Sequence, residues 1–198
     1  HLEAAYDAAD GRRELEVRGM NPIGALPGYQ LVEQRHDVGF YRAGYAGEVD
    51  YLDAEIGRLL RGVAERVAAT ATTVIFTADH GESLGENDYW FAHGAFLSDA
   101  LIRVPLLIRS PSIEPAVRDD IVSLVDIVPS VLALVGVTPP AALAGRNLLA
   151  PRANQAGVRA YLANLMGSAD KRWGWVADGH VLVLEHGQDG STRPTLRN

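Results

Sequence analysis

The chain of 198 residues contains no cysteine. This absence excludes disulfide bonds, thiolate metal ligands and a cysteine nucleophile among the residues present. It leaves the cellular compartment open, because many exported proteins also lack disulfides. The chain opens at His1 rather than at a methionine and shows no signal peptide, so we expect the sequence to be part of a longer protein.

Long apolar runs and positive charge are also scarce. No run approaches the roughly 20 apolar residues that a membrane span needs, so no transmembrane segment is predicted. Lysine and arginine number 18 against 25 aspartate and glutamate residues, which gives a formal net charge of -7. Because nucleic-acid binders use an excess of positive charge, no nucleic-acid partner is predicted. Hydrophobic residues make up 47% of the chain, which is typical of a globular domain with a core.

Two helices have clear sequence signals. The first is predicted over Tyr41–Ala69, where apolar residues recur at helical spacing and form a single stripe. The stripe consists of Tyr45, Val49, Leu52, Ile56, Leu59, Val63 and Val67. The second helix is predicted to begin at Asp126, a good capping residue, with Pro129 in its first turn. Gly136 is a plausible residue for its C-terminal end.

Two strands are predicted before the second helix, and a hairpin is predicted after it. Residues Thr72–Thr77 and Leu101–Arg109 are rich in β-branched and aliphatic side chains, which indicates strands. A hairpin around Asp178-Gly179 is predicted over Val176–Leu184, and His1–Arg35 is predicted to be mostly loop. The order of helix, strand, strand, helix and hairpin predicts an α/β sheet followed by the start of a smaller antiparallel unit.

An acid and a histidine, Asp79 and His80, lie side by side where the first predicted strand ends. Open α/β sheets bind their ligands at the carboxyl ends of strands. Adjacent residues of an extended strand point to opposite faces, so both can reach one ion only if the chain turns, which Gly81 permits. A carboxylate oxygen and an imidazole nitrogen suit Ca²⁺, Mn²⁺ or Zn²⁺. We therefore expect a metal site, completed by ligands from elsewhere.

Two other interpretations of this stretch stay open on spacing alone. Gly81–Gly85 fits the G-x-S-x-G pattern of serine hydrolases, with Ser83 as the nucleophile. The other triad residues would then be Asp126 with His180 or His186. This interpretation is ranked lower, because the acid before the serine disfavours the alkoxide that must form, and a turn or capping role for the hydroxyl is preferred. The plainest interpretation is that the Asp-His-Gly and His-Gly sequences are simply polar turns.

The surrounding sequence resembles the sulfatase family of the alkaline phosphatase superfamily in six blocks, which occur in that family's order. The blocks are Tyr45–Leu60, Val74–Glu86, Trp90–Gly94, Ile102–Arg109, Leu124–Leu132 and Gly145–Leu149. The resemblance implies that the chain is the C-terminal half of a sulfatase catalytic domain. It implies a mixed central sheet with flanking helices over residues 1–150, and the start of a small antiparallel unit over residues 151–198.

The resemblance also implies an active site. Asp79 and His80 match the family's second pair of ligands for one divalent cation, usually Ca²⁺, with Mn²⁺ or Zn²⁺ as alternatives. His93 matches the basic position that contacts the sulfate or the leaving oxygen, and Glu82 is expected to orient a neighbouring ligand rather than bind the ion. The implied activity is the hydrolysis of small-molecule or carbohydrate sulfate esters.

The nucleophile of that reaction is expected upstream of these residues. In the family it is a formylglycine made from the Cys or Ser of a C/S-x-P-x-R motif, and the chain has neither the motif nor any cysteine. We therefore expect the missing N-terminal half of the same protein to carry it. On this expectation the chain by itself is inactive, because it supplies only part of the site.

Other functions stay open beside sulfate-ester hydrolysis. Phosphonate or phosphate-ester hydrolases and phosphoethanolamine transferases of the same superfamily share the Asp-His-Gly block. A degenerate domain that only binds ligands would keep the fold without the chemistry. His93 has the structural alternative of packing on Trp90 or Phe91.

Overall fold

A computed structural model describes residues 12–20, 22–67, 72–150, 159–164, 171–177 and 180–197. These residues form a mixed α/β structure with small antiparallel sheets, divided into two compact units. The first unit is His1–His93 with Ser98–Glu114, and the second is Gly94–Leu97 with Pro115–Asn198. The described helices and strands are α1 (Val38–Ala64), β1 (Val74–Thr77), β2 (Ser83–Leu84), β3 (Trp90–Ala92), α2 (Asp99–Ile102), β4 (Leu106–Arg109), α3 (Ile127–Leu134), β5 (Arg159–Asn164), β6 (Lys171–Ala177), β7 (His180–His186) and β8 (Thr192–Arg197).

Helix α1 confirms the first predicted helix with shifted ends. It begins at Val38, before the predicted Tyr41, because the side chain of Asp37 accepts a hydrogen bond from the backbone N–H of Phe40 and caps the first turn. The apolar stripe is present, but much of it is exposed, as in Leu52 at 52% and Leu59 at 64%. None of the helices in the described residues combines the length and apolar character needed to cross a membrane.

Strands β1 and β4 pair antiparallel, with Val74 opposite Arg109. The predicted strand over Leu101–Arg109 is wrong in its first half, where the chain forms the short helix α2. The backbone N–H groups of Leu101 and Ile102 both donate to the carbonyl of Ser98, which closes a helical turn. Strand β4 starts only after Pro105, whose missing N–H cannot contribute to a sheet.

The core of the first unit lies around the β2–β3 hairpin. Its buried side chains are Leu15, Leu26, Val38, Leu84, Trp90 and Phe91. Burying each large apolar side chain stabilises the fold by about 1.5–3 kcal/mol. Two of these residues come from the region predicted to be loop, so that loop is anchored to the hairpin. The core therefore holds in place the chain between β1 and α2, which carries the predicted site.

Asp126 in the second unit is fully buried and has a structural role. One carboxylate oxygen accepts a hydrogen bond from the backbone N–H of Ser123, and the other accepts one from the N–H of Arg146. The predicted capping role is confirmed in part, because Asp126 caps the backbone before it rather than the first N–H groups of α3. Gly136 follows the end of α3 with φ of 73°, as expected for a helix stop.

Strands β5 to β8 form an antiparallel sheet in sequential order. The predicted hairpin over Val176–Leu184 lies within the β6–β7 pair, where Ala177 is opposite His180. Its turn residues, Asp178 and Gly179, lie outside the described residues. This sheet is the antiparallel C-terminal unit that the sequence predicts, and the boundary expected after Ala150 stays a prediction.

Candidate active site

Asp79 and His80 lie directly after β1, and their side chains approach each other. The distance from Asp79 Oδ2 to His80 Nε2 is 3.7 Å, and Asp79 Oδ1 accepts a hydrogen bond from the backbone N–H of His80 at 3.0 Å. The side chain of Asp79 is 89% exposed, and that of His80 is about half exposed. An oxygen and a nitrogen therefore face the same open space at the end of a strand.

The hydrogen bonds of His80 define which ring nitrogen is available. Its Nδ1 lies 2.8 Å from the carbonyl oxygen of Gly81. Because a carbonyl only accepts hydrogen bonds, Nδ1 carries the proton and donates, which leaves a lone pair on Nε2 in the neutral ring. Nε2 is also the ring nitrogen that lies beside Asp79, 3.7 Å from its Oδ2.

These two donor atoms fit a divalent cation. Ligand atoms of Ca²⁺ lie about 2.3–2.6 Å from the ion, so a pair separated by less than twice that distance can share one ion. The separation of 3.7 Å between Asp79 Oδ2 and His80 Nε2 meets this condition. Both atoms are exposed, so an ion has access to them. The donor chemistry and spacing are therefore suitable for the cation that the resemblance implies.

Gly81 lets the chain turn here for a reason that the sequence did not reveal. A Cβ at this position would overlap the backbone carbonyl of Ala100, and the N–H of Gly81 donates to the carbonyl of Leu101 at 2.9 Å. The turn after His80 is therefore packed directly on α2. Glycine is required here because a side chain would not fit against α2. The sequence predicts glycine at this turn for a different reason, its conformational freedom.

His93 and Glu82 join the same cluster. His93 Nδ1 lies 2.9 Å from Glu82 Oε2, and the rings of His93 and His80 stack with centroids 3.9 Å apart. His93 Nδ1 is hydrogen-bonded to the carboxylate, so the Nε2 end of the ring faces away from it. His93 is 51% exposed, so this end can meet a ligand. The alternative in which His93 packs on Trp90 or Phe91 is less favoured, because the recorded contacts of its ring are with Glu82 and His80.

A second set of possible ligands overlaps the first. One donor atom from each of His80, Glu82 and His93 lies within 4.8 Å of the others. In this set the ion would compete with the Glu82–His93 hydrogen bond, whereas the oxygens of Asp79 face solvent. We therefore favour Asp79 with His80 as the ligands and Glu82 with His93 as a hydrogen-bonded pair.

Sequence reasoning missed Tyr29 as a neighbour of this cluster. The pKa of Tyr29 is raised, first by partial burial and then by the negative charge of Glu82, while a hydrogen bond with Gln30 opposes the change. Tyr29 lies in a short turn, Gly28–Gln30, in the region predicted to be loop. No sequence pattern connects that turn with Glu82, because their proximity depends on how the chain folds.

The serine-hydrolase alternative does not fit the position of Ser83. Its side chain is 1% exposed, and its hydroxyl donates to the carbonyl of Tyr89 at 2.7 Å. A nucleophile at a strand-to-helix turn needs an exposed hydroxyl, whereas Ser83 lies inside β2. Both carboxylate oxygens of the proposed acid Asp126 accept hydrogen bonds from backbone N–H groups. Ser83 is therefore a structural hydroxyl.

Comparison with known families identifies the chain. The family model described as Sulfatase matches residues 16–137, which is more than half of the sequence. The chain belongs to the sulfatase family. This confirms the resemblance seen in the sequence, and the alkaline phosphatase superfamily is implied by it. Sulfatases generally use a divalent metal, and the matched residues include the whole cluster around His80 and His93.

Individual sulfatases are similar over most of this chain but only part of their own length. The uncharacterized sulfatase YidJ of Escherichia coli (strain K12) is 34% identical over 141 residues, which cover 68% of this chain and 28% of YidJ. A putative sulfatase from Bacteroides thetaiotaomicron VPI-5482 has a TM-score of 0.72 at 16% identity, covering 82% of this chain and 36% of that structure.

A further solved structure, BT4656 in complex with its substrate D-glucosamine-2-N,6-O-disulfate, has a TM-score of 0.67 at 24% identity. It covers 80% of this chain and 34% of that structure. Both structural likenesses support the alkaline phosphatase-like α/β fold predicted from the sequence. The chain spans about a third of the length of these sulfatases.

Proposed function

We propose that the full-length protein hydrolyses sulfate esters, converting an ester and water into an alcohol and hydrogen sulfate. The observation that carries this proposal is the sulfatase match over residues 16–137, which contains an exposed cluster of the expected residue types. In this proposal the chain contributes two cation ligands, Asp79 and His80, and one acid, His93. A formylglycine nucleophile outside this chain remains an expectation from the family.

Asp79 and His80 would hold one divalent cation, for which Ca²⁺ is favoured over Mn²⁺ or Zn²⁺ because a carboxylate is a hard ligand. When bound, the ion would supply positive charge that offsets the negative oxygens of the sulfate group. The hydrogen bond from His80 Nδ1 to Gly81 keeps Nε2 directed at the space beside Asp79. This hydrogen bond to Gly81 fixes both the tautomer and the orientation of the His80 ring.

His93 would protonate the leaving oxygen. As the nucleophile outside this chain bonds to sulfur and the bond between sulfur and the ester oxygen breaks, Nε2–H of the imidazolium would donate its proton to that oxygen, and the alcohol leaves neutral. Glu82 holds Nδ1 at 2.9 Å, which orients the ring with Nε2 directed away from the carboxylate. A histidine is suited to this step because its ordinary pKa lies near neutrality.

The favoured substrate class is a small-molecule or carbohydrate sulfate ester. BT4656, whose fold this chain shares, has a sulfated amino sugar as its substrate. The exposure of Asp79 and His93 leaves room for a polar ligand at this cluster. We therefore extend the sugar sulfate class to this protein as a proposal.

The test is sulfate release by the full-length protein. The substrates are para-nitrophenyl sulfate and D-glucosamine-2-N,6-O-disulfate, with para-nitrophenyl phosphate as the matched phosphate ester. We expect both sulfates to be hydrolysed faster than the phosphate. Faster phosphate hydrolysis would favour the phosphate-ester alternative, and no hydrolysis of any ester would favour a binding domain.

A further inference from the structure

Strand β3 contains one extra residue relative to its partner strand. Leu84 lies opposite Trp90, and Ser83 lies opposite Ala92. Phe91 therefore has no opposite residue in β2 and forms a β-bulge. Its φ of 47° is a left-handed conformation that a bulky residue rarely adopts. Such a conformation persists only where neighbouring groups hold it.

Two contacts hold the bulge. Gln30 Nε2 donates a hydrogen bond to the carbonyl of Phe91 at 3.1 Å, and the ring of Phe91 lies 5.0 Å from that of Tyr41. All three residues of β3 are buried, whereas a regular strand would bury alternate side chains. His93 is the first exposed residue after the bulge. The direction of its side chain therefore depends on how the bulged segment ends.

Tyr89 closes this segment with a part-buried hydrogen bond. Its hydroxyl donates to the backbone carbonyl of His93 at 2.7 Å, and the tyrosine is 3% exposed. The bond holds the backbone at the point where the chain leaves the buried strand. Gly94 follows with φ of 89°, so the chain changes direction immediately after the held carbonyl.

We propose that Tyr89 is a positioning residue that holds His93 at the reacting ester, an inference that rests on the function proposed above. The hydroxyl of Tyr89 is bonded to the backbone carbonyl of His93, so we infer that it acts through the position of the main chain. The ring itself has contacts to Glu82 and to the ring of His80. Without the hydroxyl of Tyr89 these two contacts remain, but the Cα from which the ring extends is no longer fixed.

The test is Tyr89→Phe in the full-length protein, assayed with two aryl sulfates. Para-nitrophenolate leaves readily without a proton, whereas the leaving oxygen of phenyl sulfate depends more on protonation. A displaced acid therefore costs more with phenyl sulfate. We expect kcat/KM to fall about 10-fold for phenyl sulfate and less than about threefold for para-nitrophenyl sulfate. We expect KM to change little, because Tyr89 is buried.

Tyr41→Phe is the matched control. Its hydroxyl donates to the carbonyl of Arg35 and accepts from the N–H of Val32, while its ring packs on Phe91. This variant removes a hydroxyl from the same packed region without releasing His93. Its ratio of kcat/KM values for the two sulfates should equal that of the wild type. The ratio is measured on one sample, so partial unfolding of a variant cancels.

His93→Gln distinguishes a failure of the positioning role of Tyr89 from a failure of the acid role of His93. If His93→Gln changes the ratio and Tyr89→Phe does not, the positioning role is overturned while the function of His93 stands. If His93→Gln leaves the ratio unchanged, His93 is not the acid and both proposals on it fall. An equal fall with both sulfates in Tyr89→Phe also overturns the inference, since it indicates a general structural effect.

Discussion

The imidazole rings of His80 and His93 stack with their centroids 3.9 Å apart and their planes 28° apart. The β2–β3 hairpin separates the two residues in sequence, and its fold brings them together. The ring proposed to bind the cation therefore lies against the ring proposed to protonate the leaving group. A change that moves one ring is expected to disturb the other, so tests of the two roles need different readouts.

Asp79→Ala tests the cation site by binding rather than by activity. The side chain is exposed, so its removal should cost the fold little. We expect the affinity of the full-length protein for Ca²⁺, measured by isothermal titration calorimetry, to fall by more than the roughly 10–100-fold typical of losing a group that only supports a ligand.

Glu82→Gln is the matched variant for that titration. It keeps the size of the side chain and retains a group that can accept from His93. Because Glu82 is proposed to support His93 rather than a ligand of the ion, the Ca²⁺ affinity of this variant should fall by less than the roughly 10–100-fold typical of losing a group that supports a ligand. A loss as large as that of Asp79→Ala would instead favour the ligand set of His80, Glu82 and His93.

Ser83→Ala tests whether the buried serine is structural. The variant leaves the carbonyl of Tyr89 without its hydroxyl donor inside the core. We expect the free energy of unfolding in urea to fall by about 1–3 kcal/mol, the usual cost of an unsatisfied buried polar group. Sulfate release by the folded protein should persist, and Ser112→Ala, at an exposed serine, should change neither quantity. Complete loss of hydrolysis with a normal unfolding curve would revive the nucleophile role.

Asp88 predicts how stability depends on pH in the acid range. Its pKa is lowered, first by the hydrogen bond from the Trp90 indole, and the Arg13 guanidinium lowers it further, while burial opposes the change. A lowered pKa in the folded state stabilises the fold above the ordinary pKa of an aspartate. That stabilisation is lost as the pH falls through the folded value.

Asp88→Asn should therefore be less stable than wild type near neutral pH and should lose less stability on acidification. Because Asp88 is about half exposed, we expect an effect below about 1 kcal/mol. Urea unfolding at neutral and acid pH measures it. Glu48→Gln, on the exposed face of α1, controls for the loss of one carboxylate. Identical acid dependence in Asp88→Asn and wild type would contradict the prediction.

Sequence periodicity predicts the elements of this fold better than their ends. Helix α1 and the β6–β7 hairpin follow from the spacing of their apolar residues and from turn residues. The α2 turn was missed because Leu101 and Ile102 are as typical of strands as of helices. The helical turn forms because the carbonyl of Ser98 accepts hydrogen bonds from the backbone N–H groups of both residues.

The members of the site could be predicted, but the contacts that orient them could not. Asp79, His80, Glu82 and His93 were identified from adjacency to a strand and from the family resemblance. The bond from Tyr89 to the backbone of His93 has no periodic signal, since it follows from the bulge at Phe91. A bulge changes which side chains face the core without changing the composition of the strand.

Gly81→Ala tests whether the turn that brings Asp79 and His80 together depends on its packing against α2. The added methyl group would meet the carbonyl of Ala100, a backbone atom that cannot rotate away. We expect the free energy of unfolding to fall by about 1–3 kcal/mol, the usual cost of overpacking. Because the turn must also shift, Ca²⁺ affinity should fall in the fraction that stays folded.

Gly44→Ala is the control, since Gly44 lies in α1 with open space around it. The added methyl group should stabilise the helix by up to about 1 kcal/mol. Wild-type Ca²⁺ affinity in Gly81→Ala would show that the cation site does not depend on this contact.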